Sequence, residues 1–207
     1  MNNLHVIEHP LIKRDLTLLR TNTTSSEDFR IVLKRIASLM VFEVTRDLRL
    51  DTTRIQTPLE KTEGHLISDE VILVPVLRAG LGMLESYLAY IPNAKVGHIG
   101  MYRDETTLKP VDYYAKFPPN LSRSVVIVID PMLATGGSAS AAIAYLKERE
   151  ARNIRLNCIV AAPEGVERVE KDHPEVKIYA AVLDRELNEN GYILPGLGDA
   201  GDRIFGT

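Results

Sequence analysis

The 207-residue chain has no tryptophan and one cysteine, Cys158, so no internal disulfide can form. Cys158 falls in the strand candidate 154–160, where it reads as core packing and not as a nucleophile. The five histidines, His5, His9, His65, His98 and His173, are scattered and have no cysteine neighbours. That pattern speaks against a transition metal held by the protein. No apolar run reaches the roughly 18 residues of a membrane-spanning helix, and the start MNNLHVIEHP lacks a secretory signal pattern, so a cytoplasmic protein without membrane contact is expected. Basic residues are not in excess: the net charge is −3, which leaves no electrostatic footprint for nucleic acid. There is no Walker lysine and no G-x-G-x-x-G, which lowers NTP hydrolysis and dinucleotide redox chemistry. Repeats, low-complexity tracts and linkers are absent as well.

What remains is an ordinary globular composition, 45% hydrophobic and 26% charged. A chain of this length can form one self-sufficient α/β domain spanning 1–207. Its parts would be N-terminal helices at about 9–50, a core at about 70–185 and a C-terminal hood at about 186–207.

The most informative segment is 125–138, VVIVIDPMLATGGS. Five β-branched aliphatics make a strand covered on both faces, as in a parallel sheet between helices. Asp130 then stands at the strand's carboxyl end, where open α/β sheets bind ligands, and a small-residue turn leads into an Ala-rich helix. Glycines let the main chain approach an anion, and helix-start amides point at it. Thr135 and Ser138 add hydroxyl donors, so a phosphate monoester could be wrapped without lysine. The bland alternative is a strand, a Gly-Gly turn and a helix capped by Ser138.

A second motif occupies 191–206, GYILPGLGDAGDRIFG. Its five glycines and one proline argue against a regular helix. Tyr192, Ile193, Leu194, Leu197, Ile204 and Phe205 nevertheless supply apolar surface with which it can dock. A third station is the apolar run 71–76 followed by Leu77-Arg78-Ala79-Gly80 and a helical stretch to Tyr90. A cation beside a helix N-terminus is unfavourable unless an anion shares the site.

Elsewhere, a short helix is predicted over 9–19 and a long amphipathic one after a capping box at Thr24 and Glu27. Two short strands are predicted around Glu63-Gly64 within 54–67. Strands follow at 95–99, 154–160 and 176–183, and helices at 138–150 and 164–172. The polar stretch after Arg103 reads as the tip of a β-hairpin arm within 102–117.

The string DPMLATGGS at 130–138 resembles the phosphoribosyl-diphosphate-binding loop of type I phosphoribosyltransferases. Many members carry two consecutive acids here, whereas Asp130 is followed by Pro131. The Asp-Pro form together with the GYILPGLGDAGDR tail is similar to the uracil phosphoribosyltransferase branch, over nearly the whole chain. The resemblance implies an α/β fold with a central parallel sheet flanked by helices, a β-arm and a small base-binding hood. It implies transfer of phosphoribosyl from 5-phospho-α-D-ribose 1-diphosphate to uracil N1, giving UMP and diphosphate.

In that family the matching acid, here Asp130, bonds the ribose hydroxyls, and Pro131, Met132, Leu133, Ala134, Thr135, Gly136, Gly137 and Ser138 complete the donor's cradle. Arg78 and Arg103 would take the diphosphate, Arg78 in a loop where a non-proline cis peptide is common among members. The main chain of Ile193, Gly198 and Ala200 would hold uracil, and Asp199 would face the reacting centre, touching both substrates. Mg²⁺ is implied as cofactor, held mainly by substrate and water. Family members are usually dimers or larger homo-oligomers, and some are activated by GTP. Some proteins of this fold are instead RNA-binding pyrimidine regulators, a reading that the acidic net charge disfavours.

Overall fold

The computed structural model describes residues 2–103 and 110–207, with only the backbone of 102, 103 and 110–112. The chain opens with an edge strand β1 (Leu4–Val6), which sequence reading did not pick out, and helix α1 (Pro10–Arg20). Helix α2 (Ser26–Val44) follows, buried along Phe29, Val32, Leu33, Ile36, Met40 and Val44. Its cap is not the Thr24/Glu27 pair but Ser25, whose Oγ accepts from the Asp28 amide at 3.1 Å. The cap has shifted by one residue because Thr24 instead donates its hydroxyl to Leu18 O at 2.6 Å.

Strands β2 (Leu50–Gln56) and β3 (Lys61–Ile67) form a separate antiparallel hairpin. Its turn is at 57–60, not at Glu63-Gly64: the Thr57 hydroxyl accepts the amides of Leu59 and Glu60, and Pro58 presets the bend. Gly64 lies inside β3 opposite Thr53.

The central sheet then begins with β4 (Val71–Leu77), followed by α3 (Leu81–Tyr90). The strand predicted at 95–99 is split into β5 (Lys95–Val96) and β6 (His98–Arg103). Gly97 lies between them, at a position where a Cβ would come within 2.5 Å of the Phe117 ring. The arm returns as β7 (Pro110–Lys116), antiparallel to β6. Residues 104–109 at the arm's tip lie outside the described residues.

Next come β8 (Val125–Ile129), β9 (Met132–Leu133), α4 (Gly137–Glu148), β10 (Asn153–Ala161), α5 (Pro163–Asp172) and β11 (Lys177–Leu183). Helix α4 ends two residues before the position expected, and Glu150 takes the left-handed conformation, φ 67°, that a glycine usually fills. The chain closes with β12 (Glu186–Leu187), β13 (Ile193–Leu194) and α6 (Ala200–Phe205). Helix α6 corrects the expectation that the glycine-rich tail excludes a helix. The positive-φ glycines 191, 196, 198 and 206 lie outside it, and Asp199 caps its start by accepting the Asp202 amide at 2.9 Å.

The sheet order is β1-β11-β10-β8-β4-β6-β7, with parallel pairing as far as β6 and an antiparallel partner in β7, so the sheet is mixed and not wholly parallel. Alternate residues of β4 and β8 enter two different cores. Val71, Leu73, Val125 and Ile127 face α1, α2 and α3, while Ile72, Val74, Val126 and Val128 face α4 and α5. Burial on both sides is why these strands read as unbroken apolar runs.

Candidate functional site

After β4 the chain crosses by α3 to β6 on one side, and after β8 it crosses by α4 to β10 on the other. Helices α3 and α4 pack on opposite faces, so the winding reverses between β4 and β8. A crevice must open at the carboxyl ends of these two strands, the general position of ligands in such sheets. Arg78 leaves β4 there and Asp130 leaves β8, with Pro75 paired to Ile129. The two loops are drawn together at Gly80, where a Cβ would lie 2.4 Å from Ile129 O. The peptide Leu77–Arg78 is cis.

The 130–138 loop is anchored from below. The Asp130 amide donates to Asn157 O at 3.1 Å, and the carbonyls of Pro131 and Leu133 accept from β10 and Ala162 at 2.9–3.0 Å. With its carbonyls spent on the sheet, the loop turns at Gly136 (φ 73°) into α4. The first amides of α4 have no acceptor within the helix. They face a recess of about 90 Å³ lined by Asp130 and residues 132–139. Ser138 is exposed inside the helix, and the N-cap is Gly136, so Ser138 is not the capping residue. Burial pushes the Asp130 carboxyl up to about 7, opposed by the Met132 amide and reinforced by the negative charge of Asp199.

The hood is brought to this loop by packing that local sequence does not announce. Gly191, in the β12–β13 turn, sits where an added Cβ would be 3.6 Å from Thr135 Cγ2. Ile193, Leu197 and Ile204 are buried and dock the tail, whereas Tyr192 and Phe205 remain 50% and 43% exposed. Two arginines pin the hood to the N-terminal helices. Arg20 donates to both oxygens of buried Asp184, at 2.8 and 2.6 Å, and to Gly196 O at 2.8 Å. Asp184 also accepts the Gly196 amide at 2.9 Å. Arg203 donates to Leu197 O at 2.9 Å, to Thr21 O at 2.7 Å and to Leu19 O, and lies over the Phe29 ring.

The structure thus brings Arg78, Asp130 and the 131–138 loop to one crevice, with Asp199 near enough for its charge to act on Asp130, Gly201 against Arg78 and Gly191 against Thr135. Arg103 ends β6, paired with Pro110, and its side chain lies outside those described. Cys158 is fully buried in β10, and burial raises its thiol far above the ordinary range, so it is no nucleophile. Buried His173 sits against Ser140 (Oγ 3.2 Å), and Ser140 donates to Asp172 at 2.7 Å. The carboxylate meets the serine and not the imidazole Nδ1, which faces Lys147 at 3.4 Å. This set ties α4 to α5 and is not a hydrolytic triad.

Sequence reading missed Asp184, Arg20, Arg203, Asp202 and Gly165. Gly165, near the start of α5, supports the phosphate-loop backbone: a Cβ would lie 2.4 Å from Ala134 O and 2.7 Å from Leu133 O. The Gly165→Ala protein is therefore expected to fold but to displace the loop, so that a phosphate placed in the recess binds about 10- to 100-fold more weakly. Titration calorimetry with inorganic phosphate on both proteins checks this, and an equal affinity would show that the loop does not depend on the contact.

The family model for uracil phosphoribosyltransferase matches residues 6–207. The chain is 55% identical over 208 residues to a uracil phosphoribosyltransferase of Finegoldia magna, covering 100% of both chains. It is 53% identical over 207 residues to one of Salinibacter ruber, covering 100% of this chain and 99% of the other. Among solved structures, a protein of Aquifex aeolicus superposes with a TM-score of 0.92 at 38% identity, covering 98% of this chain and 97% of that chain. A hypoxanthine-guanine phosphoribosyltransferase of Bacillus anthracis shares the fold alone, with a TM-score of 0.51 at 14% identity over 75% of this chain and 79% of that chain. A mixed sheet with a switch-point crevice, the cradle and the tail motif all agree with these matches: the chain belongs to the uracil phosphoribosyltransferase family.

Proposed function

We infer that the protein transfers phosphoribosyl from 5-phospho-α-D-ribose 1-diphosphate to N1 of uracil, releasing diphosphate and UMP. The observation that supports this reading is the approach of the glycine-rich hood to the 130–138 loop at Gly191 and Thr135, which would set a base bound by the hood beside a sugar bound by the loop. In this reading the 5-phosphate lies on the first amides of α4 and the Thr135 and Ser138 hydroxyls. Asp130 accepts the ribose hydroxyls, and Arg78 and Arg103 bind the diphosphate in paired guanidinium contacts. The backbone of Ile193, Gly198 and Ala200 presents fixed donors and acceptors to the uracil edge. A cytosine would leave groups unpaired at about 1–3 kcal/mol each.

Cleavage of the C1–diphosphate bond develops positive charge on the ring and negative charge on the leaving group, so catalysis is electrostatic and positional. Asp130 and Asp199 stabilise the cationic ring, and Asp199 accepts the N1 proton directly or through water. Mg²⁺ fits the donor set: two carboxylates whose charges oppose one another, beside a phosphate cradle, suit a cation that keeps its waters. When bound it would neutralise phosphate charge, with Asp130 and Asp199 as its protein neighbours. The whole chain acts as one catalytic unit.

A cytoplasmic location belongs to the same reading; among the described residues no helix is long and apolar enough to cross a membrane. A homodimer or larger assembly would cover the apolar groove between α2 and the β2–β3 hairpin, where Phe42, Leu50 and Tyr90 are 68%, 58% and 62% exposed. A GTP activator is assigned to no residue here. The test is product analysis with donor, Mg²⁺ and a panel of free nucleobases. Uracil should give UMP with one diphosphate per turnover; a nucleotide from a purine or orotate alone, or no product, would overturn the assignment.

A further inference from the structure

In the structure, Arg78 does not stand free at the crevice. Its Nη2 lies 3.3 Å from Asp202 Oδ1, and its guanidinium carbon is 5.6 Å from the centre of the Phe205 ring. Both partners belong to α6, the hood helix that opens at Asp199. An added Cβ on Gly201 would stand 3.1 Å from Asp199 Oδ1 and 3.9 Å from Arg78 Nη2, so the start of α6 rests against the arginine.

We propose that Asp202 is a positioning residue that serves as an internal counter-anion for Arg78, held in place of the diphosphate when the site is empty and exchanged for it on donor binding. The inference rests on Arg78 being a diphosphate ligand. Three features carry it. The pair is half-exposed, with side-chain exposures of 55% and 52%, so it contributes little to folding and separates readily. A carboxylate held on the same guanidinium must either give way to the incoming polyanion or repel it, and both weaken diphosphate binding. The Phe205 ring keeps the arginine near the crevice during the exchange, which preserves its aim. Asp202 would thereby limit the grip on the leaving group, and by recapturing Arg78 it would speed product release.

Asp202→Asn tests this with little risk to the fold. The backbone amide of residue 202 still meets the Asp199 carboxylate, and its carbonyl still accepts from Gly206 at 2.7 Å. Binding of inorganic diphosphate with MgCl₂ is measured by titration calorimetry on the full chain, for wild type, Asp202→Asn, Arg78→Ala and the double variant. Asp202→Asn is expected to tighten diphosphate three- to tenfold, and the gain should vanish in the Arg78→Ala background. Steady-state inhibition by diphosphate should tighten in parallel, with the uracil KM unchanged. Should Arg78→Ala weaken diphosphate while Asp202→Asn leaves it unchanged or weaker, the counter-anion role is overturned and Arg78 stands as a ligand. Equal tightening with and without Arg78 would also overturn it, because Asp202 would then act through space. Diphosphate binding indifferent to Arg78→Ala would remove the ligand assignment itself, and the inference with it.

Discussion

Replacing Asp130 by asparagine is expected to cost about 10²- to 10³-fold in kcat and, at the same time, to stabilise the ligand-free protein above neutral pH. Burial raises the carboxyl from 3.8 to about 7, the Met132 amide works against that rise, and the Asp199 charge adds to it. A folded-state value above the unfolded one means that the native protein binds the extra proton. The contribution of this one carboxyl to stability is then fully present below about pH 4, falls as pH rises towards 7, and is lost beyond it. A neutral amide removes that penalty. At pH 8 the gain should be on the order of 1–3 kcal/mol, a rise of several degrees in Tm for a chain of this size, and it should disappear near pH 4. Thermal melts at pH 4 and pH 8, run beside steady-state assays, read both effects. Identical melts at pH 8 would mean that the carboxyl is not held in a destabilising environment. The same titration predicts that donor affinity falls as pH drops below 7, since ribose hydroxyls bond more strongly to an ionised carboxylate than to a neutral carboxyl.

Asp184→Ala should give the second large effect, far from the reacting atoms. It leaves the Arg20 guanidinium and the Gly196 amide without the carboxylate that now accepts from both. Breaking a buried pair on one side costs about 3–5 kcal/mol; Arg20 is 24% exposed, which points to the lower part of that range. Because Gly196 lies in the proposed base loop, the uracil KM should rise at least about tenfold while the donor KM changes little. Urea denaturation gives the first quantity and initial rates the second. A stable variant with normal uracil KM would show that the hood is held by its apolar contacts alone. Asp184→Asn, which keeps an acceptor, should fall between the two.

Several elements were legible in the residues themselves. β4 and β8 are unbroken apolar runs because both their faces are buried, and α2 shows its stripe because only one face is. DPMLATGGS could be placed at a strand end because only small residues and glycine make that turn into a helix. Errors arose where two local signals competed. Thr24 and Ser25 could each cap α2, and a tertiary bond from Thr24 to Leu18 decided between them. Gly64 looked like a turn but fits a strand, while Pro58 makes the bend. The glycines around 196 obscured a six-residue helix whose start depends on Asp199.

From its residues alone, this chain declared an α/β class, a phosphate-suited loop ending in Thr135 to Ser138, and a tail able to meet a base, since each follows from short-range rules of periodicity, turn chemistry and hydrogen-bonding capacity. Only the tertiary structure decided how these meet: the reversal of winding between β4 and β8, Gly165 beneath the loop, the Arg20–Asp184–Gly196 clamp, and Asp202 on Arg78. Those contacts join residues up to 176 positions apart. Their partners are chosen by how the helices pack on the sheet, and a linear pattern carries no record of that choice.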